Sequence, residues 1–174
     1  MATRGTVYCY DNATRGLDAS TALEFVRALR TSTNFAGTAC VVTAYQASES
    51  IYQAFDHVCV LYSGRQVYFG PADRAVAYFE RLGFARPARQ TSSEFLTCVT
   101  DPDARTARPG FEGRVPHTAG QFESLWRGSP EFAALKARQA SLQARQHPAA
   151  TTRAFREAHA ADRQKYARKR SLYL

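Results

Sequence analysis

Thr6-Val7-Tyr8-Cys9-Tyr10-Asp11-Asn12-Ala13-Thr14-Arg15-Gly16-Leu17-Asp18-Ala19-Ser20-Thr21 changes its character once, at Asp11. The residues before it are β-branched, aromatic or thiol-bearing and read as a short buried strand ending at Tyr10. Asn12 to Gly16 form a loop. From Ala19 the apolar residues Ala22, Phe25, Val26 and Leu29 recur at i, i+3, i+4 and i+7, the spacing of one helix face. Asp18 or Ser20 can cap that helix, and Thr33-Asn34 and Gly37 break it. A carboxylate at the carboxyl end of a buried strand can face a ligand crevice and hold Mg²⁺ through water. By itself an aspartate at a strand end is more often a turn or cap residue.

Working outward, Thr38 to Thr43 reads as a second strand and Ser48 opens a short helix carrying Ile51, Tyr52 and Phe55. His57 to Tyr62 is a third strand, Ser63-Gly64-Arg65 a tight turn, and Gln66 to Phe69 the returning strand of a hairpin. Gly70-Pro71 starts a helix through Leu82, stopped by Gly83, and Ser92 to Val99 is another. Strands alternating with helices predict an α/β fold with a parallel sheet. Three or four strands make a small parallel sheet, so further strands are expected upstream. The Pro/Gly-rich stretch from Asp101 to Gly120 reads as linker. Gln121 to Trp126 and Pro130 to Arg145 read as helices, and Thr151 to Arg170 as a weakly patterned basic helix. The expected organisation is therefore an α/β part over 1–100, a linker over 101–120 and a helical basic extension over 121–174.

The 174 residues are 45% hydrophobic and 22% charged, an ordinary globular balance. The net charge of +8 is confined to one end: residues 1–126 carry 12 basic and 12 acidic side chains, residues 127–174 carry 11 and 3. A neutral body with a basic tail points to an anionic partner for the tail. No apolar run reaches the ~18 residues of a membrane helix, and no apolar segment follows the first residues as in a signal peptide, so the chain alone is expected to be cytosolic. Cys9, Cys40, Cys59 and Cys98 form no C-x-x-C pair and are expected to be buried, reduced thiols. His57, His117, His147 and His159 lack the spacing of a zinc site.

Several segments, in one consistent order, carry a resemblance. Tyr10 to Thr21 resembles the Walker B and D-loop segment of the pleiotropic drug resistance family of ABC transporters, and more closely that of the family's first nucleotide-binding domain. Val42-Thr43-Ala44-Tyr45-Gln46-Ala47-Ser48 resembles its switch loop, and Leu61 to Pro71 the hairpin that follows. Arg108-Pro109-Gly110-Phe111-Glu112, Arg114-Val115-Pro116, Phe122-Glu123 and Trp126 are similar to the linker ahead of the first membrane domain. Lys165-Tyr166-Ala167-Arg168-Lys169-Arg170-Ser171 is similar to the basic segment before the first membrane helix. The fold this implies is part of a P-loop NTPase, the ABC nucleotide-binding domain.

The resemblance implies a role for each matching residue. Asp11 would hold Mg²⁺ through water. Asn12 stands where the wider ABC family has a glutamate that activates the attacking water; an amide can hydrogen-bond a water but cannot take its proton. Tyr45 stands where the switch histidine is usual, and a phenol stays neutral at physiological pH. Asp18 matches the D-loop aspartate at the interface with the second nucleotide-binding domain, and it can cap a helix as well. Arg15 in the same loop meets either that domain or solvent. Both substitutions favour holding ATP over hydrolysing it. The sequence contains no G-x-x-x-x-G-K-[ST], the loop that cradles phosphates. ATP and Mg²⁺ are thus cofactors expected of an intact parent domain, not of this chain by itself, which should bind ATP weakly or not at all and hydrolyse none. Arg163, Lys165, Arg168, Lys169 and Arg170 would lie at the inner leaflet of a plasma membrane, against anionic lipid. Nucleic acid is the least favoured partner for them, because Tyr166 and Tyr173 form no stacking motif. The implied function is part of an ATP-driven multidrug efflux transporter, partnered by its membrane domains and second nucleotide-binding domain. The alternatives are a non-catalytic module docking on an intact transporter, or an inactive gene remnant. A strand edge left without its neighbours also predicts poor solubility.

Overall fold

The computed structural model describes residues 7–44, 47–145, 153–154, 156–157 and 160. They form two compact units, residues 1–128 and 129–174. In the first unit the order is β1 (Val7–Tyr10), α1 (Ala19–Ala36), β2 (Ala39–Val42), α2 (Glu49–Tyr52), β3 (His57–Tyr62), β4 (Arg65–Pro71), α3 (Ala72–Arg81), α4 (Ser92–Val99) and α5 (Ala119–Arg127). The second unit contains α6 (Pro130–Arg145). The α/β class and nearly every element follow the sequence pattern.

Sheet connectivity departs from it. β1 pairs with β2 in parallel, while β3 pairs only with β4, antiparallel, so two sheets of two strands stand where one parallel sheet was expected. β3 is taken up locally: Ser63 and Gly64, both at positive φ (46° and 74°), close the hairpin to β4, the geometry that suits the twist of paired strands. No described strand joins β2 to β3. The exposed face of the β1–β2 sheet carries Val7 and Val41, 58% and 57% accessible. Cys9, on that face, is accordingly exposed; Cys59 on β3 is exposed as well, and Cys40 and Cys98 are half-buried, so the expectation of buried thiols fails. All four thiols are free.

The covered face rests on α1. Ala22 and Val26 bury with Ile51 of α2, and Leu23, Phe25, Ala47, Ala54 and Phe55 pack around them. Tyr10 reaches the same cluster edge-on to Phe25, 5.9 Å between ring centroids. Helix α1 does not break at Thr33-Asn34, as the sequence suggests, but runs to Gly37. The Thr33 hydroxyl is absorbed by donating to Arg30 O at 2.9 Å, and Gly37, at φ 62°, caps the helix by donating its N–H to Thr33 O.

A second core is aromatic. Tyr68 of β4, Tyr78 and Phe79 of α3, Phe84, Phe122 and Trp126 of α5 are all at most 1% exposed. Tyr68 lies 5.1 Å from Trp126 and Tyr78 5.0 Å from Phe79, contacts worth about 0.5–1.5 kcal/mol each beyond burial. Glu123 of α5 pairs with Arg65 on β4 and with Arg127 one turn on, and these two guanidiniums, Arg65 first, hold its carboxyl below the usual range. Thr118 and Gln121 close a capping box that starts α5. Residues 101–118, free of helix and strand, are nevertheless tied down: Arg108 N donates to Gly83 O at 2.7 Å and Ala85 N to Thr106 O at 2.8 Å.

The two cores are joined through α2 and α4. Glu49 accepts from Ser92 N and Oγ at 2.7 and 2.8 Å, which lowers its carboxyl pKa, and Tyr52 donates to Ala72 O at 2.6 Å. In the second unit Ser129 starts α6 by accepting from Phe132 N at 3.1 Å. No helix among the described residues is long and apolar enough to cross a membrane.

Candidate functional site

Two parallel strands in register bring their carboxyl ends to the same level. Tyr10 is opposite Val42, so the next residues, Asp11 and Thr43, emerge side by side. Thr43 N donates to Tyr10 O at 2.9 Å and extends the ladder by one bond. The Thr43 hydroxyl donates to Asp11 Oδ1 at 2.5 Å and accepts from Asn12 N at 2.8 Å. One side chain on β2 thereby fixes both the carboxylate and the backbone turn that follows β1.

That turn is sharp. Asn12 has φ 50°, in the left-handed region that asparagine tolerates better than most residues. Arg15 N then returns to Asn12 O at 3.1 Å, Leu17 N to Thr14 O at 3.2 Å, and Gly16 takes φ 79°. Asp11 and Arg15 are exposed and Asn12 is half-buried. Among the described residues Asp11 Oδ2 accepts no hydrogen bond, so the carboxylate has one held and one open oxygen.

Asp18 closes the loop as the cap of α1. Its carboxylate accepts from Thr21 Oγ1 (2.6 Å) and N (3.0 Å) and from Ser20 Oγ (2.8 Å) and N (3.0 Å). Those donors, Thr21 foremost, hold the carboxyl far below the usual carboxylate range. Tyr45 lies outside the described residues, as do Arg163, Lys165, Arg168, Lys169 and Arg170. The structure therefore brings Asp11 and Asn12 together and places Asp18 at the far end of their loop.

Thr43 went unassigned in the sequence reading, although it stood within the switch-loop segment. The signal for it is positional: in-register parallel strands of equal length set the residue after β2 against the residue after β1. An open, exposed carboxylate oxygen fits a hydrated magnesium ion, which binds through one or two carboxylates and keeps its waters. Among the described residues no three His, Cys, Asp or Glu side chains cluster as metal ligands. Phosphates are typically cradled by the backbone N–H groups of a glycine-rich loop, and the 174 residues contain no G-x-x-x-x-G-K-[ST].

Comparison with known proteins places these residues in context. No family model matches the chain. The ABC transporter ATP-binding protein/permease PDR18 of Saccharomyces cerevisiae is 49% identical over 174 residues, which is 99% of this chain and 13% of that protein. The ABC multidrug transporter SNQ2 of Candida glabrata is 47% identical over 99% of the chain and 12% of its own length. The brefeldin A resistance protein of Schizosaccharomyces pombe is 54% identical over 145 residues, 83% of the chain and 10% of that protein.

The chain belongs to the pleiotropic drug resistance family of ABC transporters. It spans about an eighth of the length of the relatives that match it end to end. Within such a family sequence, the turn from Asp11 to Asp18 joins a parallel strand to a capped helix, and the Thr43 hydroxyl closes it.

Proposed function

We propose that these 174 residues are the later part of a degenerate first nucleotide-binding domain of an ATP-driven multidrug efflux transporter, followed by the linker toward its first membrane domain. The observation that supports it most is the β1–β2 parallel pair, which sets Asp11 beside the start of the switch segment in a chain 49% identical to PDR18 over nearly all its length. In this reading Asp11 is the Walker B carboxylate, holding Mg²⁺ through water with its open oxygen. Asp18 caps α1 while lying at the surface toward the second nucleotide-binding domain.

The unpaired strands fit the same reading. A P-loop domain needs more parallel strands than β1 and β2; among the described residues neither strand has a second neighbour, and the uncovered face bearing Val7 and Val41 fits a covering layer of helices. Asn12 provides no general base, and loss of such help typically costs about 10²–10⁴ in rate. Tyr45 provides no imidazole. The nucleotide site of the whole protein is thus one that retains ATP, with hydrolysis left to its second domain. The basic residues Arg163 to Arg170 would face the anionic inner leaflet of the plasma membrane.

A chimera tests this. The matching segment of an intact relative such as PDR18 is replaced by these 174 residues, and drug resistance is measured in cells lacking the native transporter. Retained resistance is expected; a chimera that reaches the membrane in normal amount and confers none overturns the assignment. A companion measurement uses the chain alone, which should release no phosphate from ATP. Release that disappears in Asp11→Ala overturns the degenerate reading.

A further inference from the structure

We propose that Thr43 is the positioning residue for Asp11, holding one carboxylate oxygen so that the other faces a hydrated divalent cation. The inference rests on the reading of Asp11 as the metal-side carboxylate, and it deepens that reading by naming what orients the group.

An aspartate at the end of a strand has two free side-chain torsions, and its two oxygens are equivalent until something distinguishes them. Here the Thr43 hydroxyl distinguishes them, donating to Oδ1 at 2.5 Å while Oδ2 accepts no bond among the described residues. A hydroxyl has one proton and two lone pairs, so the same oxygen can also accept, and it does so from Asn12 N at 2.8 Å. The acceptor role fixes the direction of the donor role, because the proton must point away from the incoming N–H. Thr43 is itself anchored, its N–H donating to Tyr10 O at 2.9 Å. Its β-branched side chain has few χ1 states to choose among.

The arrangement is like that of an outer-shell partner: it touches the carboxylate that meets the ion's water, and not the ion. Partners of directly ligating groups typically contribute about 10–100-fold in metal affinity, and the lower end is expected for a carboxylate acting through water. It also secures Asn12 at φ 50°, since the N–H of that residue is the group bonded to Thr43. Both effects belong to one oxygen atom, which makes serine an adequate replacement and valine, of nearly the same shape, an inadequate one.

The test uses the full 174-residue chain, labelled with ¹⁵N and titrated with Mn²⁺ as a paramagnetic stand-in for magnesium. Broadening of the Asp11 and Asn12 amide signals reports binding, Asp11→Asn gives the baseline, and the Trp126 indole signal reports the fold. We expect Thr43→Val to need at least about 10-fold more Mn²⁺ for the same broadening. Thr43→Ser should match the parent, and amide exchange at Asn12 should speed up in the valine variant alone. Thr43→Ala serves as a second hydroxyl-free variant should valine disturb the Trp126 signal. If the hydroxyl-free chains bind Mn²⁺ like the parent while Asp11→Asn loses it, the role of Thr43 is refuted and that of Asp11 survives. Equal loss in Thr43→Ser and Thr43→Val, with the Trp126 signal intact, also refutes it. Broadening that persists in Asp11→Asn removes both assignments together.

Discussion

Asn12 and Asp18 show how a single residue can serve backbone geometry and chemistry at once. The turn after β1 requires φ 50° at position 12, and asparagine enters that region with less strain than glutamate. Restoring an acid by Asn12→Glu is therefore expected to cost about 1 kcal/mol of stability, read as a lower thermal midpoint, without giving the chain any ATPase activity. Asn12→Gly should leave the midpoint nearly unchanged. Asp18 was expected to match an interface aspartate and to be able to cap α1 as well, and its four hydrogen bonds establish the cap. Its folded pKa is depressed, so the unfolded chain binds its proton first as the pH falls. The stabilisation is complete above the ordinary aspartate range near ~3.9 and is lost on acidification below it. Asp18→Ala should lower the thermal midpoint at pH 7 and have progressively less effect toward pH 2, whereas Asp18→Ser should retain part of the cap.

Among the elements, helix ends were the most legible. Asp18, Ser48 and Gly37 announce their caps in sequence, because capping depends on a hydrogen bond within three residues or on the backbone freedom of one glycine. The stop at Thr33-Asn34 was misleading, since the threonine hydroxyl found an acceptor one turn back inside the helix. The segment after Asp101 looked like free linker, and its attachment is built from backbone bonds that any residue could make. What its composition does not reveal is the dependence on Gly83. That residue takes φ 104°, and a Cβ there would come within 2.5 Å of the Phe111 ring. Gly83→Ala is expected to destabilise by about 1–3 kcal/mol, measured by urea denaturation, with the loss concentrated in protection of the Ala85 and Arg108 amides.

Across the whole molecule, the question is what a small α/β piece does with incomplete sheets. The aromatic core beneath β4, α3 and α5 is closed: Trp126→Ala should cost about 3–5 kcal/mol and abolish cooperative melting of the first unit. The β1–β2 sheet is not closed, and Val7 and Val41 stand more than half exposed beside unpaired strand edges. Such an edge templates association. The chain alone is expected to self-associate with rising concentration, as read by light scattering, and Val41→Lys should suppress this without lowering the thermal midpoint. Scattering unchanged by Val41→Lys would move the sticky surface elsewhere on the molecule.

From the sequence alone came the α/β class, the extents of most strands and helices, the family, and the candidacy of Asp11, Asn12 and Asp18. Each of these rests on local periodicity, on a short capping pattern or on a string of residues that reads in one direction. Tertiary structure alone decided that the β3–β4 hairpin, legible in the sequence, forms no part of a parallel sheet. It alone set the Thr43 hydroxyl, thirty-two positions away in sequence, against Asp11. Strand neighbours and the facing of side chains across a sheet are long-range choices, made by whichever edges and faces are there to be covered, and no local pattern encodes them.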